Sequence, residues 1–490
     1  MSKTDLTRRA FLASTTAATT VTLTGANKVN AAKVVPGKIS PNEKLNLAAI
    51  GTGGKGGSDT NGCKGENFLA VCDVDWDRAQ RTLNLPHFVD NKEFKKYNDY
   101  RNLLEDFGDK LDGVTVSTPD HTHAPAAYMA MKMGISCYVQ KPLTHTVAEA
   151  RLLKNVAEEM DVVTQMGNQG HSGNGVRQVT EMLETGAIGQ VREAHVWTHR
   201  PVWSSQGRPT PLPSVTQPEN LDWDRFIGCA PWRPYGAEKD PNSPKISRYA
   251  PHDWRAWRDF GGGALGDMAC HIMDPVYMSL RLVEAKDYTV ELIHVEGQND
   301  ETFPLVETIK YSFPARGKLA AIDVYWYDGW RPDPKDPENP DKRIYNRPKR
   351  PAGIPKDQVL GDNQKNGSFL VGDKGVITMG EYGGNPRLMP DEAMANYQRP
   401  DPYIPRVPNE DNYYDWLNAI KTGTKSGSDF SYAGPFTEMV NFGNLIATSA
   451  VQKAGVKKLH WDNVKGRVTN VKNPEKIVSK EYRKGWELPC

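Results

Sequence analysis

The chain is predicted to be an α/β protein in which an N-terminal doubly wound parallel sheet precedes an α+β domain with a large, mostly antiparallel open sheet. Three observations predict this. The apolar run Leu47-Ala48-Ala49-Ile50 feeds straight into the glycine-rich turn Gly51-Thr52-Gly53-Gly54-Lys55-Gly56. Strand-like and helix-like segments then alternate with short connections, the pattern of a parallel sheet covered by helices on both faces. From about Val191 the strand-like segments lengthen and alternate in polarity, the pattern of a sheet with one face on a core.

In chain order, Lys44 to Gly51 reads as the first strand, Gly54 to Gly62 as the helix it opens, and Asn67 to Val74 as the second strand. Leu111 to Thr118, Ser136 to Gln140 and Val162 to Met166 are later strands. Between them Ala124 to Met133 and Val147 to Met160 carry helical apolar spacing. Val191 to Arg200, Tyr288 to Glu296, Leu305 to Phe313 and Lys318 to Tyr327 read as the longer strands. Arg331 to Pro355, dense in Pro, Lys and Asp, reads as a surface loop. The expected division is residues 43–168 for the first domain, 169–470 for the second, and a tail over 471–490.

Ahead of these domains, Arg8-Arg9 precedes the weakly apolar, Ala/Thr-rich stretch from Ala13 to Ala26. That order reads as a twin-arginine export signal over residues 1–31, cut after Val29-Asn30-Ala31, with a periplasmic or secreted mature protein. The competing reading is a disordered tail with a chance Arg pair. Cys63 comes too late for lipid anchoring, and no segment has the apolar length of a membrane helix, in line with a mean hydropathy of -0.62. At 490 residues the chain suggests two domains, and 61 basic against 60 acidic residues leave +1. Nothing in that balance draws nucleic acid or an anionic membrane. The six cysteines are scattered, without the spacing of a zinc site, and read as reduced and mostly structural.

The glycines give the first chemistry. Gly51 permits a tight turn, Gly53 and Gly54 let a pyrophosphate approach the backbone, and Gly56 lets the following helix pack on its strand, the Rossmann fingerprint. Asp73, ending the second strand about twenty residues on, is placed to bind the adenosine ribose hydroxyls and to repel a 2'-phosphate, so NAD is expected. Asp75 is the less favoured stand-in, and a solvated turn carboxylate is the bland alternative. Lys141, held extended by Pro142 at the carboxyl edge of the sheet, can stabilise a developing alkoxide. In Gly261-Gly262-Gly263-Ala264-Leu265-Gly266-Asp267-Met268-Ala269-Cys270-His271 a helix from Ala264 sets Asp267 and His271 four apart, so that the carboxylate is expected to orient the imidazole.

With these residues the chain resembles the Gfo/Idh/MocA oxidoreductases, the family of glucose-fructose oxidoreductase and inositol dehydrogenase. The likeness is carried by Ala49-Ile50-Gly51-Thr52-Gly53, Ser117-Thr118-Pro119-Asp120-His121-Thr122-His123, Lys141-Pro142 and Gly266 to His271, and extends over most of the mature chain. It implies a Rossmann domain followed by an open sheet that binds sugar-like substrates and often builds oligomers, here a dimer or tetramer. It further implies Lys141, Asp267 and His271 as the catalytic group, with Thr118, Pro119 and His123 beside the nicotinamide. Gln140 departs from the family, which usually has Glu there, and leaves a cofactor contact without its charge. Met166 to His171 and Trp232-Arg233-Pro234 resemble an exported bacterial branch.

On this reading His271 removes a hydroxyl proton, Lys141 stabilises the alkoxide and Asp267 holds His271. Eight of the twelve tryptophans lie between Trp197 and Trp330, which suits a carbohydrate cleft as well as it suits a core. The candidate substrate residues are Asn168, His171, His199, Arg200, Trp203 and Trp257. His195, Trp197 and His199 alternate onto one strand face toward the cleft. His121 and His123 suggest no metal site, because no third ligand is legible. Three functions compete: an NAD-dependent sugar or cyclitol oxidoreductase that keeps its cofactor; redox-neutral NAD-dependent cleavage of a glycoside; and a binding protein without chemistry.

Overall fold

The structure, a computed structural model, describes residues 43–490 apart from 91–92, 240–245, 337, 340–341 and 363–364. The expected export signal lies outside the described residues. Six parallel strands, β1 (Asn46–Ile50), β2 (Asn67–Cys72), β3 (Lys95–Tyr97), β4 (Gly113–Val116), β5 (Ser136–Val139) and β6 (Thr164–Met166), stand in the order 3-2-1-4-5-6. This is the Rossmann order, and its strand sequence reverses between β1 and β4, where a crevice opens at the carboxyl ends. Every residue of β4 and β5 is buried, as helices on both faces of a parallel sheet require. Strand β3 was not legible in advance: Lys95-Lys96-Tyr97 is too polar to read as a strand, because at the sheet edge lysines discourage pairing with another chain.

The second domain is built on a ten-stranded sheet. Its central strands are Val191–Trp197, Ile322–Pro332, Val306–Phe313 and Asp287–Glu296, and only the first two of these run parallel. Two expectations change here. The strand expected at Lys318 starts at Ile322, because Arg316 and Leu319 exchange backbone hydrogen bonds in a tight turn (2.9 and 2.8 Å). The expected loop from Arg331 begins as strand and then returns Arg343–Tyr345 to pair with Trp330 to Pro332. His195 stacks on Tyr325 and Tyr327 on the sheet face away from the helices, and Trp197 packs on Phe369, so that alternating row does not reach a cleft.

The tryptophan-rich stretch forms a compact aromatic core in which Trp203, Trp223, Trp257 and Phe260 are buried. A second, larger apolar core is continuous across both domains, joining Ile50, Val116 and Val139 of the Rossmann sheet to Ile309, Trp326 and Phe436. Helix Phe430–Ile446, buried along most of its length, lies in this core and packs on helix Val147–Met160. The latter begins with a capping box, in which Thr146 and Glu149 satisfy each other's backbone N–H groups.

Candidate active site

A cavity of about 510 Å³ runs along the carboxyl ends of the Rossmann strands from Asp73 to Lys141 and His271. At one end the glycine turn is fixed by contacts that only glycine permits. Gly51 sits at φ 81°, and a Cβ there would stand 2.7 Å from the Ser117 carbonyl oxygen. A Cβ on Gly56 would stand 2.0 Å from the Gly51 carbonyl oxygen, so Gly56 lies beneath the turn while Gly51, Gly53 and Gly54 line the cavity. Asp73 also lines it, and one of its oxygens accepts the Thr52 and Gly53 N–H groups at 2.7 and 2.9 Å. The carboxylate therefore holds the turn from the end of β2. Backbone donors at a helix start, glycines that admit close approach and an acidic residue one strand away fit a dinucleotide.

At the other end, helix Gly263–Ile272 carries Asp267 and His271 to the cavity, facing Lys141. The Lys141 ammonium donates to the Asp267 carboxylate at 3.0 Å and to the Asp267 carbonyl at 2.6 Å. Arg255 donates to the same carboxylate at 3.1 Å, and Arg200 lies 3.7 Å from it. Burial by itself would raise the pKa of Asp267, but Lys141, Arg255 and Arg200 together hold it well below the ordinary carboxylate range. The expected Asp267-to-His271 hydrogen bond is absent: three cations compete for the carboxylate, and His271 Nδ1 has no partner among the described residues. Burial, reinforced by Lys141, lowers the His271 pKa well below 6.5 and keeps the ring neutral.

Two family profiles match this chain: "Oxidoreductase family, NAD-binding Rossmann fold" over residues 45–168 and "Oxidoreductase family, C-terminal alpha/beta domain" over residues 173–320. Together they cover more than half of it. The chain belongs to the Gfo/Idh/MocA oxidoreductase family. Inositol 2-dehydrogenase of Salmonella paratyphi B is 28% identical over 136 residues, 28% of this chain and 39% of that enzyme. Alpha-N-acetylgalactosaminidase of Shewanella oneidensis is 31% identical over 176 residues, 34% of this chain and 38% of that enzyme. Among solved structures, levoglucosan dehydrogenase in complex with NADH superposes with a TM-score of 0.51 at 16% identity, covering 85% of this chain and 98% of that one, a likeness of fold. NAD is the cofactor of this family's Rossmann domain.

In this Gfo/Idh/MocA chain the remaining predicted residues fall at different depths around the cavity. Thr118, Pro119 and Gln140 line the cavity. Gln140 donates its amide to both oxygens of the buried Asp59 at 3.0 and 2.9 Å, and Asp59 also accepts from Lys55 and Ser117. A glutamate at 140 would set two carboxylates against each other, whereas the glutamine amide donates to both Asp59 oxygens. His123 is not in the lining: its ring spans the Pro142 and Thr118 carbonyls at 2.8 Å each and ties the two strand ends together. Of the candidate substrate residues, Arg200 lies 3.7 Å from the Asp267 carboxylate, behind the cavity lining. Asn168 bonds Ser428, His171 pairs with Asp274 at 2.9 Å and His199 bonds Asn366. Trp203 and Trp257 are sealed in the aromatic core. None of these five lines the cavity, and each packs against or bonds other parts of the protein. Among the described residues, no group of three or more His, Cys, Asp and Glu could hold a metal ion, and no helix is long and apolar enough to cross a membrane.

Three cavity residues were given no role by the sequence reading, although Asp120 lies within the motif that carries the family likeness. Arg255 lies in the short helical turn Asp253–Ala256. Tyr382 faces the His271 ring at 4.8 Å and holds φ 61°, an unusual conformation for a bulky side chain. Its backbone packs so closely on Gly170 that a Cβ there would stand 2.6 Å from the Tyr382 Cβ. Asp120, buried beside Arg255 and Lys141, accepts the Gly262 N–H at 3.0 Å, and burial raises its pKa to about 7. A glycine-flanked tyrosine in Gly380-Glu381-Tyr382-Gly383-Gly384 was the available signal for one of these.

Proposed function

We propose that this protein is an NAD(H)-dependent oxidoreductase acting on a CH–OH group of a sugar, a sugar derivative or a cyclitol, and that it holds its cofactor tightly. The observation that carries the reading is one cavity in which Lys141, pinned by Asp267, faces a neutral His271 whose Nδ1 lacks a partner, at the far end from a dinucleotide turn. Gly51, Gly53, Gly54, Asp73, Thr118 and Pro119 would hold NAD, which supplies the acceptor for the hydride that leaves the carbinol carbon. His271 takes the hydroxyl proton, a role open to it because the buried ring is unprotonated. Lys141 donates a hydrogen bond to the oxygen as negative charge develops on it. Asp267 holds Lys141, rather than His271, in place, and Arg255 and Arg200 keep the carboxylate ionised. In this scheme Asp267 acts as a positioning residue.

The test is single turnover of the NAD-loaded protein against a panel of sugars and cyclitols, read as appearance of the reduced nicotinamide absorbance. Lys141→Ala should abolish the signal and leave NAD bound. A complete panel without signal in the wild type would sink the dehydrogenase reading. The match to a glycosidase supports a second reading, redox-neutral glycoside cleavage through a transient keto-sugar. It is separated by glycoside substrates that release their aglycone with no net NADH and exchange a ring proton with deuterated solvent. Export to the periplasm by the twin-arginine route is part of the same proposal, supported by Arg8-Arg9. Arg8→Lys with Arg9→Lys should leave the protein in the cytoplasmic fraction, and unchanged periplasmic recovery would overturn it.

A further inference from the structure

Residues 479–490 cross from one domain to the other and bring Trp486 to the cavity. The crossing is anchored in the interior. Lys480 Nζ, largely buried, donates to the fully buried Glu149 carboxylate at 2.9 Å and to the His121 carbonyl at 3.1 Å. Tyr482 donates its hydroxyl to the same carboxylate at 2.9 Å. Glu149 is the capping-box residue of helix Val147–Met160, so one side chain both starts a Rossmann helix and holds this segment. Arg483 then turns to the second domain, its N–H bonding the Cys229 carbonyl at 3.0 Å and its guanidinium the Asp224 carboxylate at 2.6 Å. A buried ion pair of this kind is costly to open, because separation leaves a charge without its partner.

The anchor aims one aromatic residue. The Trp486 N–H closes a turn on the Arg483 carbonyl at 3.0 Å, and Gly485 within it takes φ 85°, the sign that the third position of a type II turn requires. The turn returns Trp486 to the protein, where it packs edge-on against Tyr100 at 6.1 Å beneath the Arg101 guanidinium at 4.0 Å. Trp486 and Tyr100 both line the cavity on the side of Asp73, Val74 and Asn98. Asp73 marks that side as the adenosine end. We propose that Trp486, held in place by residues 479–490, forms part of the outer wall of the NAD site and is the residue that retains the adenine half of the cofactor. The inference rests on NAD as the cofactor and is independent of which substrate is oxidised.

The test uses the full chain and reads binding, not turnover. Stacking of a base on an aromatic side chain supports a loss of about tenfold to a hundredfold on truncation to alanine. Trp486→Ala should speed NAD release in a chase with excess unlabelled NAD by that factor, and should weaken AMP and ADP-ribose equally. Nicotinamide mononucleotide should bind as before. Trp486→Phe should restore retention to within a few-fold of wild type while abolishing the indole fluorescence change that AMP produces. NAD release unchanged in Trp486→Ala, or an AMP-induced fluorescence change equal in wild type and Trp486→Phe, would overturn the proposal. Equal weakening of nicotinamide mononucleotide and AMP would do so as well, because it would mark a general loss of fold.

Discussion

At the dinucleotide end of the cavity the turn itself is backbone from short windows, Gly51 to Gly54 and Ser117 to Pro119, braced by the Asp73 carboxylate, with Tyr100 and Trp486 adding side chains to the wall. At the substrate end they are side chains from remote segments: Lys141 and Asp267 are 126 residues apart, and Tyr382 lies farther along still. The first end tolerates little change in covalent shape, since its geometry is one of close approach between main chains. The second depends on charge placement and tolerates change in shape but not in ionisation. The two ends should therefore fail independently.

The largest effect separates them most cleanly. Lys141→Ala should lower turnover by roughly a thousandfold while NAD affinity changes less than twofold, measured by titration of the apoprotein. Loss of NAD binding in that variant would merge the two ends. Gly56→Ala is the converse, since its Cβ would meet the Gly51 carbonyl at 2.0 Å. It should weaken NAD at least tenfold and cost about 2–3 kcal/mol of stability by overpacking, both measurable by thermal unfolding with and without nucleotide. An unaffected variant would show that the turn yields.

These two variants also show what could be read in advance. The glycine turn, Asp73 and the strand-end Lys141 were legible because each depends on a local backbone requirement written in consecutive residues. The four-residue spacing of Asp267 and His271 was legible too, yet it predicted the wrong partner. Helical spacing says which side chains share a face, not that Arg255 and Lys141 arrive from elsewhere to claim the carboxylate. Polar residues such as His171 and Asn168 looked available for ligands because their partners, Asp274 and Ser428, come from distant segments. Edge strand β3 was missed for the opposite reason, its lysines being an edge feature rather than a loop feature.

Smaller effects sharpen the contrast. Tyr382→Gly removes a bulky residue from positive φ, which relieves strain, but opens the cavity wall beside His271. Stability should hold or rise by about 1 kcal/mol, while KM for the substrate rises and NAD affinity does not move. A fall in NAD affinity would show that this wall belongs to both ends. The pH dependence carries two opposing signs. Burial lowers His121 to about 3 and His123 to about 4, so their stabilising contribution is complete above 6.5 and is lost as pH falls toward those values. Asp120 is raised to about 7, so its contribution is present below its unfolded value of 3.8 and is lost as pH rises through 7. Asp120→Asn should remove the alkaline decline and leave the acid one, as followed by denaturant midpoints across pH 4 to 9. Persistence of the alkaline decline would assign it elsewhere. In turnover, the acid limb of kcat/KM should lie below 6.5, where a neutral His271 first becomes protonated.

The apolar core that runs unbroken from Ile50 and Val139 to Ile309 and Phe436 has a kinetic consequence. Enzymes whose two domains meet across a polar seam exchange ligands by hinging apart, but here a hinge would have to tear open a shared apolar interior. Such an interior favours motion of the two halves as one body. Traffic into and out of the crevice must pass through small local openings of loops and side chains, so residence times are a property of the crevice mouth and not of any breathing between domains.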